Sequence, residues 1–144
     1  MGVYTRFKKA HDGLRLLVEL LETTPGSRRQ KMIDVGMEED PEYTQKALQC
    51  MFTFKDIMTL PDFELTQVIS ETNPELVGYA IQSADEEVKM RFLRLTPPKM
   101  LGAIREAVEL PATPLQMSGA QVKMVQATRK LEKRGIVKTK RIPS

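Results

Sequence analysis

Histidine and cysteine are nearly missing from this chain, with only His11 and Cys50 among 144 residues, and tryptophan is absent. A lone cysteine excludes an intramolecular disulfide framework and any zinc site built from several thiolates, so Cys50 reads as a buried structural thiol. His11, the sole imidazole, lies in a polar N-terminal stretch, which leaves a nucleophilic triad or a Cys/His dyad without a placed base. The eight glycines are scattered, without the G-x-G-x-x-G or Walker spacing that cradles phosphates. No apolar run approaches the roughly 20 residues that cross a bilayer. The opening MGVYTRFKKAHDG lacks the apolar stretch of a secretory signal. These absences together describe a cytoplasmic chain with no catalytic role, no cofactor and no metal.

What is present is a core and an uneven charge. Apolar residues make up 41% of the chain, enough for one domain or two small subdomains. The net charge is only +3, yet from Lys123 to Arg141 eight basic residues stand against Glu132 alone. Such a run is a solvated face and tail, or a surface for nucleic acid, an anionic membrane or an acidic partner; the charge count does not choose.

Helix starts recur along the chain. Asp40-Pro41, Asn73-Pro74, Thr96-Pro97 and Thr113-Pro114 each pair a capping oxygen with a proline whose missing N–H is harmless in the first turn. Ser83 with Glu86 and Thr113 with Gln116 have the capping-box spacing. Between these signals apolar residues fall at helical intervals, as at Leu65, Val68 and Ile69, or Leu101, Ile104 and Val108. The pattern predicts helices near 13–23, 27–35, 41–50, 54–59, 62–72, 74–82, 84–94, 97–109 and 114–134, the last ended by Gly135, with almost no strand. Residues 36–40 read as a turn and 1–12 as an N-terminal tail. The acidic groups Glu38-Glu39-Asp40-Glu42 and Asp85-Glu86-Glu87 read as helix N-terminal charges rather than ligands for a hard cation. Short helices of this kind must stack to bury their stripes, as armadillo-like solenoids do.

The acidic turn Glu38-Glu39-Asp40-Pro41-Glu42, followed after one helix by Met51-Phe52-Thr53-Phe54, resembles the flagellar motor switch protein family FliG, whose pattern is E-E-D-P-E, a helix, then M-F-x-F. The resemblance continues through Lys55-Asp56-Ile57, Ala80-Ile81-Gln82-Ser83-Ala84 (A-L-K-G-A in the family) and Arg91-Phe92-Leu93, and covers about Gly13 to Val137. It implies an all-α fold: an armadillo-like segment over 13–54, with short helices in a right-handed superhelical arrangement, then a six-helix C-terminal domain over 55–138 and a basic tail over 139–144. The family's N-terminal and middle domains lie outside the resemblance.

In that family Met51, Phe52, Thr53 and Phe54 would form a joint whose motion is tied to the direction of rotation; simple core packing of Phe52 and Phe54 is the other reading. The family's stator-facing charges would fall on Lys99 and Glu106, which keep their sign. They would also fall on Gln82, Ala107 and, with one residue deleted beside Pro111, Thr113, which do not. Lys89, Arg91, Arg94 and Arg105 are candidates to replace part of the lost charge. The implied partners are other rotor subunits (FliM-like), stator cytoplasmic loops (MotA-like) and a second copy through armadillo stacking, with no nucleic acid. The implied location is the cytoplasmic face of the inner membrane, in the flagellar basal body. Three functions follow: a rotor and switch protein that transmits torque, a FliG-like adaptor that has lost its stator contacts, and a nucleic-acid binder with only the basic terminus in its favour.

Overall fold

The computed structural model describes residues 3–139. Every regular element among the described residues is helical: α1 (Val3–Lys9), α2 (Gly13–Thr23), α3 (Gly26–Glu39), α4 (Pro41–Cys50), α5 (Phe54–Ile57), α6 (Asp62–Glu71), α7 (Pro74–Ile81), α8 (Glu86–Arg94), α9 (Pro98–Glu109) and α10 (Pro114–Lys133). The all-α expectation holds. The chain divides into two compact bodies, one ending at Phe52 and one spanning Thr53–Thr139.

In the first body the apolar stripe of α2 puts Leu17, Val18 and Leu21 out of reach of solvent, where they meet Tyr4, Ala47, Cys50 and Met51. Cys50 is indeed a buried thiol. Two expectations are corrected here. The N-terminal stretch read as a tail contains α1. Seven residues are too few to hold a helix alone, and its stability comes from docking, a long-range cause that a local pattern does not display. The Tyr4 hydroxyl donates to the Met32 carbonyl, its amide donates to Glu39 Oε2 at 3.3 Å, and Lys8 Nζ reaches Asp40 Oδ2 at 2.9 Å. That contact holds the Asp40 carboxyl below its usual range and raises the Lys8 ammonium.

The second correction is the turn over 36–40. The helix continues through Gly36 to Glu39, and only Asp40 breaks it. Gly36 is a place of close approach, not a breaker: a Cβ there would stand 2.4 Å from the Tyr4 ring. Glu38 and Glu39 therefore end α3 instead of beginning a helix, while Asp40 does cap α4, accepting from the Tyr43 amide at 3.1 Å.

The second body holds the six helices α5–α10. Asn73 and Thr113 cap α7 and α10 as expected, and the Thr113–Gln116 capping box forms in both directions. Two other starts move. Thr96 Oγ1 donates back to the Phe92 carbonyl at 2.6 Å, so α9 opens after Pro97. Ser83 lies in the turn after α7, and α8 begins at Glu86 behind Asp85. Gly135 at φ 76 ends the last helix, with its amide on the Glu132 carbonyl at 2.9 Å.

The long α10 supplies Met124, Val125 and Leu131 to the core, and Gln121 Nε2 donates to the Ala80 carbonyl of α7 at 3.1 Å. Across α7 lies α9, and the two meet so closely that a Cβ on Gly78 would be 2.4 Å from the Ala107 Cβ and 3.0 Å from the Ile104 carbonyl oxygen. By contrast, a Cβ on Gly102, in the middle of α9, would meet nothing within 4 Å. Gly78→Val is therefore expected to lower stability by about 2 kcal/mol or more through overpacking against backbone. Gly102→Ala should raise it by about 0.5–1 kcal/mol through helix propensity. Urea unfolding followed by circular dichroism measures both.

Candidate functional site

The inward stripe of α9 is Met100, Ile104 and Ala107, each buried. Helical geometry then turns Lys99, Gly102, Ala103 and Glu106 outward, and all four are exposed. Lys99 and Glu106 stand seven residues apart, about 10 Å along the axis by the rise per residue, on one face. Opposite charges at this spacing form a sparse, solvated ridge.

The other three predicted positions do structural work. Ala107 is 2% exposed, under Gly78, so its side chain faces α7 and not solvent. Gln82 closes the end of α9: its Nε2 donates to the carbonyls of Ala107 and Val108 at 3.2 Å and to that of Leu110, while its Oε1 accepts from the Ala112 amide at 3.1 Å. One neutral amide thus serves carbonyls that would otherwise be left over at a helix C-terminus, and one loop N–H. Thr113 is spent on capping α10.

Of the basic residues considered as replacements, Arg91 is turned to internal use. Its guanidinium donates to the carbonyls of Met58 (2.8 Å) and Leu60 and to Asp62 Oδ1 (2.9 Å), holding the Asp62 carboxyl below its ordinary range. Lys89 lies 3.6 Å from Glu86 on its own helix. Arg94 and Arg105 remain exposed.

The Met51–Phe54 stretch is divided between the two bodies. Met51 belongs to the core of the first, and Phe52 is fastened there by its amide, which donates to Glu22 Oε2 at 2.7 Å. Glu22 is itself 2% exposed, beside Arg29, whose pKa is lowered by burial against a smaller opposing pull from Glu22. Thr53 opens α5, its amide donating to Asp56 Oδ2 at 2.8 Å, and the Phe54 ring packs on Phe92 with centroids 6.0 Å apart. Both rings are buried, and the backbone is extended at Met51, just before them, and at Thr53, between them. Glu22 and the inward use of Arg91 escaped the sequence reading. The signal for Glu22 was its place four residues after Val18, on the buried stripe of α2.

Among the described residues no group of three or more His, Cys, Asp or Glu side chains is placed to hold a metal ion, and no helix is long and apolar enough to cross a membrane.

Residues 37–138 match the FliG C-terminal domain family. The chain belongs to that family. It is 26% identical over 125 residues to the flagellar motor switch protein FliG of Borreliella burgdorferi, covering 85% of this chain and 36% of that protein. With the FliG of Thermotoga maritima it shares 23% over 136 residues, 93% of this chain and 41% of the relative. It thus spans about two-fifths of the length of these curated relatives. Among solved structures, FliG residues 86–343 from H. pylori match with a TM-score of 0.66 over 91% of this chain and 63% of that one, at 17% identity, which shows the fold alone. The full-length FliG of Aquifex aeolicus matches with a TM-score of 0.54 at 25% identity, over 88% of this chain and 40% of that one.

A FliG-type lysine at position 82 would keep donors for the α9 carbonyls but could not accept from the Ala112 amide. Gln82→Lys is expected to cost about 1–2 kcal/mol and to speed hydrogen exchange at Ala112 specifically, as read by amide-resolved NMR with unfolding in urea.

Proposed function

We propose that this chain is a rotor-side element of the flagellar motor switch, transmitting force through contacts between charged surfaces and making or breaking no covalent bond. The observation that carries the proposal is the outward face of α9 in a member of the FliG C-terminal domain family: Lys99 and Glu106 stand exposed on one side while the helix is locked behind by Gly78 and Gln82. Exposed ion pairs contribute about 0–1 kcal/mol each and salt screens them within about 10 Å, so such a ridge acts by repeated brief encounters and its strength scales with the number of charges. Two retained positions make this a weakened ridge.

In this reading 13–54 is the armadillo-like segment, which stacks on a neighbouring copy or on a FliM-like rotor subunit, and 55–138 is the force-bearing domain, which meets a MotA-like stator loop. Met51-Phe52-Thr53-Phe54 is the joint between them, supported by the assignment of Phe52 and Phe54 to different bodies. The working location is the cytoplasmic face of the inner membrane, at the basal body.

A swimming and motor-localisation assay in the source cell tests the proposal, comparing the intact gene with its deletion and with the Lys99→Glu and Glu106→Lys reversals. Deletion should abolish swimming, and each reversal should reduce swimming speed by roughly half or more with the protein still at the motor, by analogy with the loss of one pair from a small set. Normal swimming in every strain would contradict the rotor role and leave the adaptor function in its place.

A further inference from the structure

The second body has a feature that the α9 ridge does not use. Where α8 runs beside the start of α9, an open groove of about 410 Å³ is lined by Met90, Leu93, Arg94, Pro98, Leu101 and Arg105, together with Thr96. Its floor is apolar and its rim is cationic, and no carboxylate lines it. The Thr96 hydroxyl donates to the Phe92 carbonyl, and the two charged side chains of the lining, Arg94 and Arg105, are both cationic. Met90 is 67% exposed, a large apolar side chain left in water without a packing role. Arg94 is 63% exposed and sits 3.7 Å from Asp62, a loose pairing, because Arg91 takes the tighter 2.9 Å contact with that carboxylate. Arg91 thereby holds the local structure, and Arg94 shares the same carboxylate from a mostly solvent-exposed position. Arg105 is one turn beyond Leu101, so its stem borders the apolar floor and its head reaches the solvent rim.

From this charge complementarity we propose that the α8–α9 groove docks an acidic amphipathic helix of a partner protein. Apolar residues of one helical face would enter over Met90, Leu93 and Leu101. Carboxylates flanking that face would pair with the guanidinium forks of Arg94 and Arg105, which can donate two parallel bonds to a planar carboxylate. A thioether at the mouth suits such a mode, since methionine adapts its shape to the apolar residue it meets. The long-range field of the two arginines favours acidic visitors before contact. This site is separate from the Lys99–Glu106 ridge, and its test does not depend on the motor assay.

The test uses the purified full chain and a fluorescent, helix-stabilised peptide with leucines four residues apart flanked by glutamates, read by anisotropy at physiological salt. Arg105→Glu and Met90→Ser should each weaken binding, the former by roughly tenfold, whereas Lys123→Glu on α10 should leave it unchanged. A peptide with lysines in place of the glutamates should bind poorly to the natural chain and recover on the Arg94→Glu/Arg105→Glu chain. Backbone NMR shifts on titration should concentrate in α8 and the first half of α9. All these side chains are at the surface, and circular dichroism of each variant verifies the fold. Equal affinity across the groove variants, no recovery by the swapped pair, or full displacement of the peptide by phosphatidylglycerol vesicles in an Arg105-dependent manner would each overturn the proposal, the last pointing to a membrane surface instead.

Discussion

The close approach of α7 to α9 at Gly78 and Ala107 is the contact on which the arrangement of the second body turns. With no side chain on Gly78, the two helices can meet at a distance that any Cβ would forbid. That contact fixes the rotation of α9 about its own axis. Once Ala107, Ile104 and Met100 face inward, Lys99 and Glu106 must face outward, and the one-turn offset of Leu101 and Arg105 places them against α8. Gln82 reinforces the same contact from the end of the helix, tying four backbone groups that follow α7 in sequence by a long interval. Lys99 and Glu106 thus stand on a helix held from behind at Gly78 and at its C-terminal end by Gln82.

The stretch between the bodies follows a different logic. Phe52 and Phe54 are both buried, so burial alone does not distinguish a joint from a core. The bonds of this stretch are shared out between the bodies: the Phe52 amide is held by the buried Glu22, the Thr53 amide by Asp56, and the Phe54 ring by Phe92. Each body fastens its own end: the Met51 amide closes α4 on the Leu48 carbonyl, and the Thr53 carbonyl opens α5 by accepting from the Asp56 and Ile57 amides. A buried carboxylate is costly unless bonded, which makes the Glu22 contact with Phe52 a specific anchor and not a general attraction.

Much of the fold was legible in local pattern. Proline after a capping oxygen marked α4, α7 and α10 correctly, because that pair acts through the first turn alone. The same signal placed α9 one residue early, since the Thr96 hydroxyl donates back to the Phe92 carbonyl instead of accepting from an α9 amide, a choice that spacing does not reveal. Helix α1 and the continuity of α3 through Gly36 were hidden for one reason: both depend on the Tyr4 side chain packing across a glycine more than thirty residues away. The candidate site shows the same division. Lys99 and Glu106 could be placed on one exposed face from their seven-residue spacing. The loss of charge at positions 82, 107 and 113 was visible, but its physical meaning was not: a clamp, a buried contact and a cap are tertiary facts.

The central claim is therefore that position 107 belongs to the core of this member of the family, which leaves Lys99 and Glu106 on the outward face of α9. Equilibrium unfolding of Ala107→Asp beside Glu106→Ala tests it most directly. Placing a carboxylate between α7 and α9 should cost more than about 3 kcal/mol at neutral pH, with part of that loss recovered in acid as the group protonates, while Glu106→Ala stays within about 0.5 kcal/mol of the natural chain. An Ala107→Asp chain as stable as the natural one at neutral pH would mean that this position faces solvent, and the account of α9 would be wrong.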